Sequence, residues 1–386
     1  MNHLPFAISE YESRLERVQQ SMDRNELDAI VITAPPNFRY FSGLDTQFWE
    51  SPARPWFLIL PRSGSSIAVV PGIAEVTIKR SFAGEIHTWA SPAPQDEGVS
   101  LLSSVLKNLP RTHGRIGFEL GRESVIRMPF LDFLRVRENL SGIDLVDGSM
   151  CIWEVRNIKS QAEIEKIRTS CQAVSRAFAN APSFLHAGMT ERDACRELNI
   201  EILKQGAQTI PYTSCGSGPG GYEEIISRGS NRVIGDGDVL MIDIGATVDG
   251  YFCDFDRNYA FGRVDDAAHA AHRTVWAATE AGIQAARPGV KVADLWRIMM
   301  DVLQAGGMLG NNAGRLGHGL GLQLTEIPSH SQDDEAVLQP GMVITIEPGM
   351  EYAPGKMIVH EENIAITDGE ADLLTVRAPH EMWAIN

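Results

Sequence analysis

The sequence has no apolar run near the roughly 18 residues that a membrane-spanning helix requires, which excludes a helical membrane protein. It also has no Cys-x-x-Cys pair. The five cysteines, Cys151, Cys171, Cys195, Cys215 and Cys253, are odd in number and scattered. That pattern excludes a disulfide framework and a thiolate zinc site, and leaves buried thiols. Basic residues are few: 34 Lys and Arg stand against 50 Asp and Glu, a formal charge of -16. A nucleic-acid partner is therefore not expected, because phosphate binding needs clustered cations that release counterions. Met1 to Glu10 lacks a basic segment followed by an apolar one, so no secretory signal is read and a cytoplasmic location is expected.

What is present is an ordinary globular composition, 44% hydrophobic and 22% charged. A chain of 386 residues exceeds the size at which single cores stop growing, roughly 250–300 residues, so two domains are expected. The first reads as α/β. Tyr11 to Asn25 has helical spacing, and Asp28 to Thr33, Trp56–Leu60, Ser66–Val70 and Arg115–Phe118 read as strands. Residues 1–155 form this unit in our reading. A second unit, residues 156–386, opens at Ser160 and Glu163, which have the spacing of a helix capping box. Ile164, Ile167, Cys171, Val174 and Phe178 then fall on one face of a long helix. Helices are predicted over 191–206, 267–286 and 292–306, and strands over 239–244, 251–261, 343–347 and 357–366.

Five residues of metal-binding type sit at strand positions or beside glycines in this second unit. Asp243 follows the apolar run Val239-Leu-Met-Ile242, and Asp254 lies eleven residues on, across a turn within Gly245 to Gly250. His318 sits in Gly317-His-Gly-Leu-Gly321, where missing side chains let another group approach the backbone. Glu347 ends Met342-Val-Ile-Thr-Ile346 before Pro348-Gly349, and Glu361 lies in the run Met357 to Ile364. Carboxylates with one imidazole suit Mn(II), Fe(II), Co(II) or Zn(II). Charge sets the number of ions. One divalent ion would leave the four carboxylates at about -2 in a partly buried site, whereas two ions balance them. Taken singly each residue has an ordinary explanation: a turn aspartate, a loop histidine, a strand-terminating or solvated glutamate.

Their joint order is more specific. Asp243-Ile-Gly, Gly250-Tyr-Phe-Cys-Asp254-Phe-Asp-Arg257, Gly317-His-Gly-Leu-Gly-Leu322 with Glu326-Ile-Pro328, Ile346-Glu-Pro-Gly349 and Glu361-Glu-Asn363 resemble the successive signatures of the pita-bread metallohydrolases. That family comprises the creatinases, prolidases and methionine aminopeptidases. Asn37-Phe-Arg-Tyr-Phe-Ser-Gly43 is similar to a segment of the N-terminal domain of creatinases and prolidases. The resemblance implies an α/β N-terminal domain followed by an α+β pita-bread catalytic domain. It implies two divalent ions per chain, with Asp243 on one ion, Asp254 and Glu361 bridging, and His318 with Glu347 on the other. Glu347 would relay a proton to the leaving nitrogen, while Asp256 and Arg257 would support the ligands. It also implies a homodimer whose Gln47-Phe-Trp-Glu50 segment helps close the partner's site.

The substrate shell departs from the family. A usual His is replaced by Thr325, another by Ile225-Ile226, and a usual Arg two residues before the last Glu by Val359. Tyr222, Ile226, Thr325, His330 and His360 are the residues we single out for substrate contact. The expected activity is metal-dependent hydrolysis of a C–N bond in a small molecule or short peptide, by default a Xaa-Pro peptide. Without compensation for the lost imidazoles, peptide turnover would be slow. The alternatives are creatinase-like amidinohydrolysis, a sulfonium or betaine lyase, or a binding protein with a relic site.

Overall fold

Ala29, Ile30, Val31 and Ile32 are all fully buried, which is the mark of a strand covered on both faces. In the computed structural model, which describes residues 4–51, 54–310 and 314–385, they form β1 (Ala29–Ile32), a central strand of a six-stranded mixed sheet. The others are β2 (Phe57–Pro61), β3 (Ile67–Pro71), β4 (Glu85–Trp89), β5 (Arg115–Phe118) and β6 (Asp144–Asp147), in the order β4-β3-β2-β1-β5-β6. β1 pairs antiparallel with β2 and parallel with β5. Asn37-Phe-Arg-Tyr-Phe-Ser lies in the helix Pro35–Ser42, and Gly43 closes it with φ of 70°. Asn37 is buried and donates to the carboxylate of Glu119 at 2.6 Å, so that motif has a structural task. This unit spans Met1–Arg156.

The second unit, Asn157–Asn386, opens with the helix Gln161–Asn180. Its capping box forms: the Ser160 hydroxyl accepts from the Glu163 N–H at 3.3 Å, and the Glu163 carboxylate accepts from the Ser160 N–H at 2.9 Å. Such a cap contributes about 0.5–2 kcal/mol. Two five-stranded sheets follow. The first runs β18-β10-β8-β7 with β9 paired to β8, where β7 is Thr209–Pro219, β8 Asp238–Val248, β9 Tyr251–Phe252, β10 Phe255–Phe261 and β18 Trp383–Ile385. The second runs β12-β11-β13-β16-β17, with β11 His318–Gly319, β12 Glu326–Ser329, β13 Val343–Ile346, β16 Glu362–Ala365 and β17 Asp372–Leu373. A separate hairpin joins β14 (Gly349–Ala353) to β15 (Lys356–Val359). The helices Asp266–Ala285 and Val292–Ala305 bury Val275, Leu295, Met299 and Leu303 in one core with Val239, Met241, Ile344 and Ile364 of both sheets.

The structure departs from two strand readings in the same way. The run 251–261 is not continuous: β9 and β10 are separated at Cys253-Asp254. The run 357–366 is likewise split into β15 and β16 at His360-Glu361. The turn before β9 is also tighter than the glycines suggested. β8 continues to Val248, and Asp249-Gly250 (φ 48° and 79°) makes a two-residue hairpin turn with both central residues left-handed.

Candidate metal centre

Each break puts a carboxylate at the junction of the two sheets, and one asparagine secures both breaks. At the first, the Asp254 N–H donates to Asn363 Oδ1 at 3.0 Å, and Asn363 Nδ2 donates back to the Asp254 carbonyl. This side-chain clasp replaces the ladder bonds that Asp254 gives up by leaving the strand. Asn363 is two residues from Glu361, so it ties the two breaks together. At the second break, Arg257 Nη1 donates to the Glu361 carbonyl at 2.9 Å, and Nη2 reaches the Glu362 carboxylate at 2.9 Å. Alternation then sends Glu362 into the core and Glu361 toward Asp254.

His318 is held from both sides. Its N–H donates to the Thr345 hydroxyl at 3.1 Å, and Nδ1 lies 2.9 Å from the Gly319 carbonyl. With Nδ1–H donating there, the Nε2 lone pair is free; it stands 3.4 Å from Asp254 and 3.9 Å from Glu347. Gly317 must be glycine: its φ is +135°, and a Cβ would come 2.3 Å from the Thr345 carbonyl oxygen. Ligand atoms of Asp254, His318 and Glu361, all buried, lie within 4.8 Å of one another. Asp243 and Glu347 are half-buried; Glu347 is 3.9 Å from His318 Nε2, and Asp243 is close enough to feel the charges of Asp254 and Glu347.

The electrostatics are those of a site lacking its counter-charge. Burial, then the charges of Asp254 and Glu347, push Asp243 well above the usual carboxylate range. Burial does the same to Asp254 and Glu361, and it raises Glu347 to about 7. His318 is lowered by burial and is neutral, as a ligand must be. Among the described residues, Asp243 Oδ1, Asp254 Oδ1 and Glu361 Oε1 are buried oxygens without a hydrogen-bond partner. Orphaned carboxylate oxygens around a free imidazole lone pair fit divalent cations.

A model of the metallopeptidase family M24 matches residues 165–368, which carry all five of these residues, and one of the creatinase/prolidase N-terminal domain matches residues 14–158. The chain belongs to metallopeptidase family M24. As a member of this family it is a metal-dependent hydrolase with a creatinase-type N-terminal domain and a pita-bread catalytic domain. The probable dipeptidase PepE of Mycobacterium tuberculosis is 29% identical over 385 residues, covering 98% of each chain. The Xaa-Pro dipeptidase of Pyrococcus furiosus is 27% identical, over 94% of this chain and 98% of its own. Among solved structures, dipeptidase PepE from Mycobacterium ulcerans superposes with a TM-score of 0.85 at 28% identity, covering 98% of this chain and 99% of that one. A prolidase from Thermococcus sibiricus gives 0.86 at 25%, covering 97% and 99%.

For this M24 chain the substrate-shell reading needs correction. Tyr222 is buried, and its hydroxyl accepts from the Val359 N–H at 2.7 Å and donates to Asn258 at 3.1 Å, so nothing is left for a substrate. Ile226 is 77% exposed and points into solvent. His360 lies on the face opposite Glu361, with Nδ1 3.2 Å from the Thr279 hydroxyl and Nε2 3.3 Å from Arg377. His330 is fully buried, its ring packed where a Cβ on Gly317 would lie 2.6 Å from Nδ1. Thr325 is half-buried, and its hydroxyl accepts from Arg315 Nη2 at 3.1 Å. Arg315, Asn363 and Tyr212, which lies beside Asp243 and favours its charged form, were not singled out from sequence. No helix among the described residues is long and apolar enough to cross a membrane.

Proposed function

We propose that this hydrolase cleaves the C–N bond of a dipeptide-sized substrate with two divalent ions, held by Asp243, Asp254, His318, Glu347 and Glu361. The observation that carries this reading is the cluster of Asp254, Glu361 and the free Nε2 of His318, with buried oxygens on Asp243, Asp254 and Glu361 that have no partner among the described residues. Asp254 and Glu361 would hold both ions, Asp243 would serve one, and His318 with Glu347 would serve the other. When bound, the ions supply Lewis acidity at the scissile carbonyl and acidify a water. Glu347 is the proton carrier. It is half-buried, with a carboxylate oxygen 3.9 Å from His318 Nε2, beside the place where the ions would be held. Arg257 and Asn363 hold the two carboxylates that bridge.

The relatives named dipeptidase and Xaa-Pro dipeptidase favour a dipeptide, and Mn(II), Fe(II), Co(II) and Zn(II) all suit the donors. The altered shell at Thr325, Ile225-Ile226 and Val359 favours as a second reading a non-peptide C–N substrate, such as a guanidino acid. All five ligand residues are present, which disfavours a relic binding protein. We further propose a cytoplasmic homodimer. The short helix Gln47–Glu50, with exposed ends, is the segment that would reach the partner. Elemental analysis combined with a screen of dipeptides, N-acyl amino acids and guanidino acids tests the reading. Two ions with dipeptide turnover support it, and a metal-loaded protein that cleaves only guanidino acids replaces it with the second. Light scattering tests the dimer: a monomer with undiminished activity at nanomolar concentration contradicts it.

A further inference from the structure

Arg315 stands three residues before His318, in a segment whose backbone runs beside Glu347: the Glu347 N–H donates to the Leu316 carbonyl at 3.0 Å. Its guanidinium is half-buried and is steadied at one corner by the Thr325 hydroxyl, at 3.1 Å. Among the described residues no carboxylate lies within 4 Å of it, although its charge is felt by Asp254, His318 and Glu347. A guanidinium presents five N–H donors in a planar fork that matches a carboxylate. Among the described residues one corner is used and the rest of the fork is uncommitted, beside a carboxylate-rich site. Such a site repels any anionic substrate unless a fixed cation receives its charge.

We propose that Arg315, oriented by Thr325, is the specificity-determining residue that takes the free carboxylate of the substrate's leaving half. The site would then select dipeptides and N-acyl amino acids, in which that carboxylate is a few bonds from the scissile C–N bond, over amidated or longer peptides. The inference rests on the C–N hydrolase reading.

The test is kcat/KM for Ala-Pro and Ala-Pro amide with Mn(II)-loaded wild type, Arg315→Gln, Arg315→Lys and Thr325→Val. Wild type should prefer the acid by about 10–100-fold, the range for a charge-assisted bond. Arg315→Gln should lose at least about tenfold more on the acid than on the amide, chiefly in KM. Arg315→Lys should restore part of the preference, and Thr325→Val should weaken it. Equal losses on acid and amide, or no preference in wild type, overturn the anchor. If wild type cleaves neither peptide, the peptidase reading fails separately. The anchor is then decided by calorimetry with N-acetylalanine and its amide: a preference for the acid that Arg315→Gln removes retains it, and equal binding overturns it.

Discussion

Asp256 stands directly opposite Asp243 across the antiparallel β8–β10 pair, so the two carboxylates share one face of the sheet. Asp254 shares that parity, two residues from Asp256. Asp256 accepts from Asn258 Nδ2 at 3.0 Å through one oxygen, while its other oxygen is buried and partnerless among the described residues. Burial, and then the charge on Asp243, raise its carboxyl well above the usual range. Asp256→Asn keeps an acceptor for Asn258 and removes this charge. The melting temperature of the chelated protein should rise, while metal affinity should fall about 10–100-fold, as for other groups that support ligands. Calorimetry on the variant checks this, and unchanged affinity would reduce Asp256 to a packing residue.

Asp254→Ala should remove most of both ions, because in the proposed ligand set it deletes a bridge, while the Asn363 clasp, made to the backbone of residue 254, is kept. Elemental analysis after desalting provides the measurement. Full occupancy in this variant would reject the ligand assignment.

Tyr222→Phe should lower stability and leave substrate affinity alone. The change orphans the buried Val359 N–H and one side of Asn258, a loss of about 1–3 kcal/mol. Denaturant unfolding and KM are measured together. A large rise in KM with unchanged stability would return Tyr222 to the substrate pocket.

The metal-free protein should lose stability as pH rises above about 7.5, where the histidines no longer titrate and Asp243, Asp254 and Glu361 still hold protons in the folded state. Carboxyls whose folded pKa is raised hold protons in the folded state that the unfolded chain has released. Their contribution is therefore fully present below the ordinary carboxylate range and is lost as pH rises toward the folded values, the Glu347 share being gone by about 7 and the rest following at higher pH. The same sign holds for Asp243, Asp254 and Glu361. The buried histidines do not interfere in this window. His272 is lowered to about 4 and His330 to about 3 by burial, and both are largely neutral in folded and unfolded states above about 7.5. Bound ions need the ionised carboxylates, so the gain in melting temperature on adding Mn(II) should grow over the same range. A metal-free protein whose melting temperature is flat or rising above about pH 7.5 would contradict the clustering of these acids.

Elements set by local pattern were legible in the sequence: the capping box at Ser160 and Glu163, the buried run Val239-Leu-Met-Ile242, and the helix spacing from Ile164 to Phe178. Asp254, His318 and Glu361, which the structure brings together, were legible from the run of motifs around them, His318 among glycines and each carboxylate beside a strand. The breaks that aim Asp254 and Glu361 were not, since the flanking residues are strand-forming and the Asn363 clasp joins positions 109 residues apart. Tyr222 misled for the same reason. Its hydroxyl is saturated by Asn258 and Val359, 36 and 137 positions away, so a polar tip beside a glycine-rich strand gave no sign of being engaged. Arg315 carried no signal at all, because its partner Thr325 is defined only by the pairing of β11 with β12.

The most direct measurement is dipeptide hydrolysis by chelated, desalted protein titrated with Mn(II), with bound metal counted at each point. The ligand set predicts no activity without metal, a rise as ions bind, and a maximum at about two ions per chain. Activity that persists in metal-free protein, or a chain holding two ions that cleaves no dipeptide, would contradict a dinuclear C–N hydrolase built on Asp243, Asp254, His318, Glu347 and Glu361.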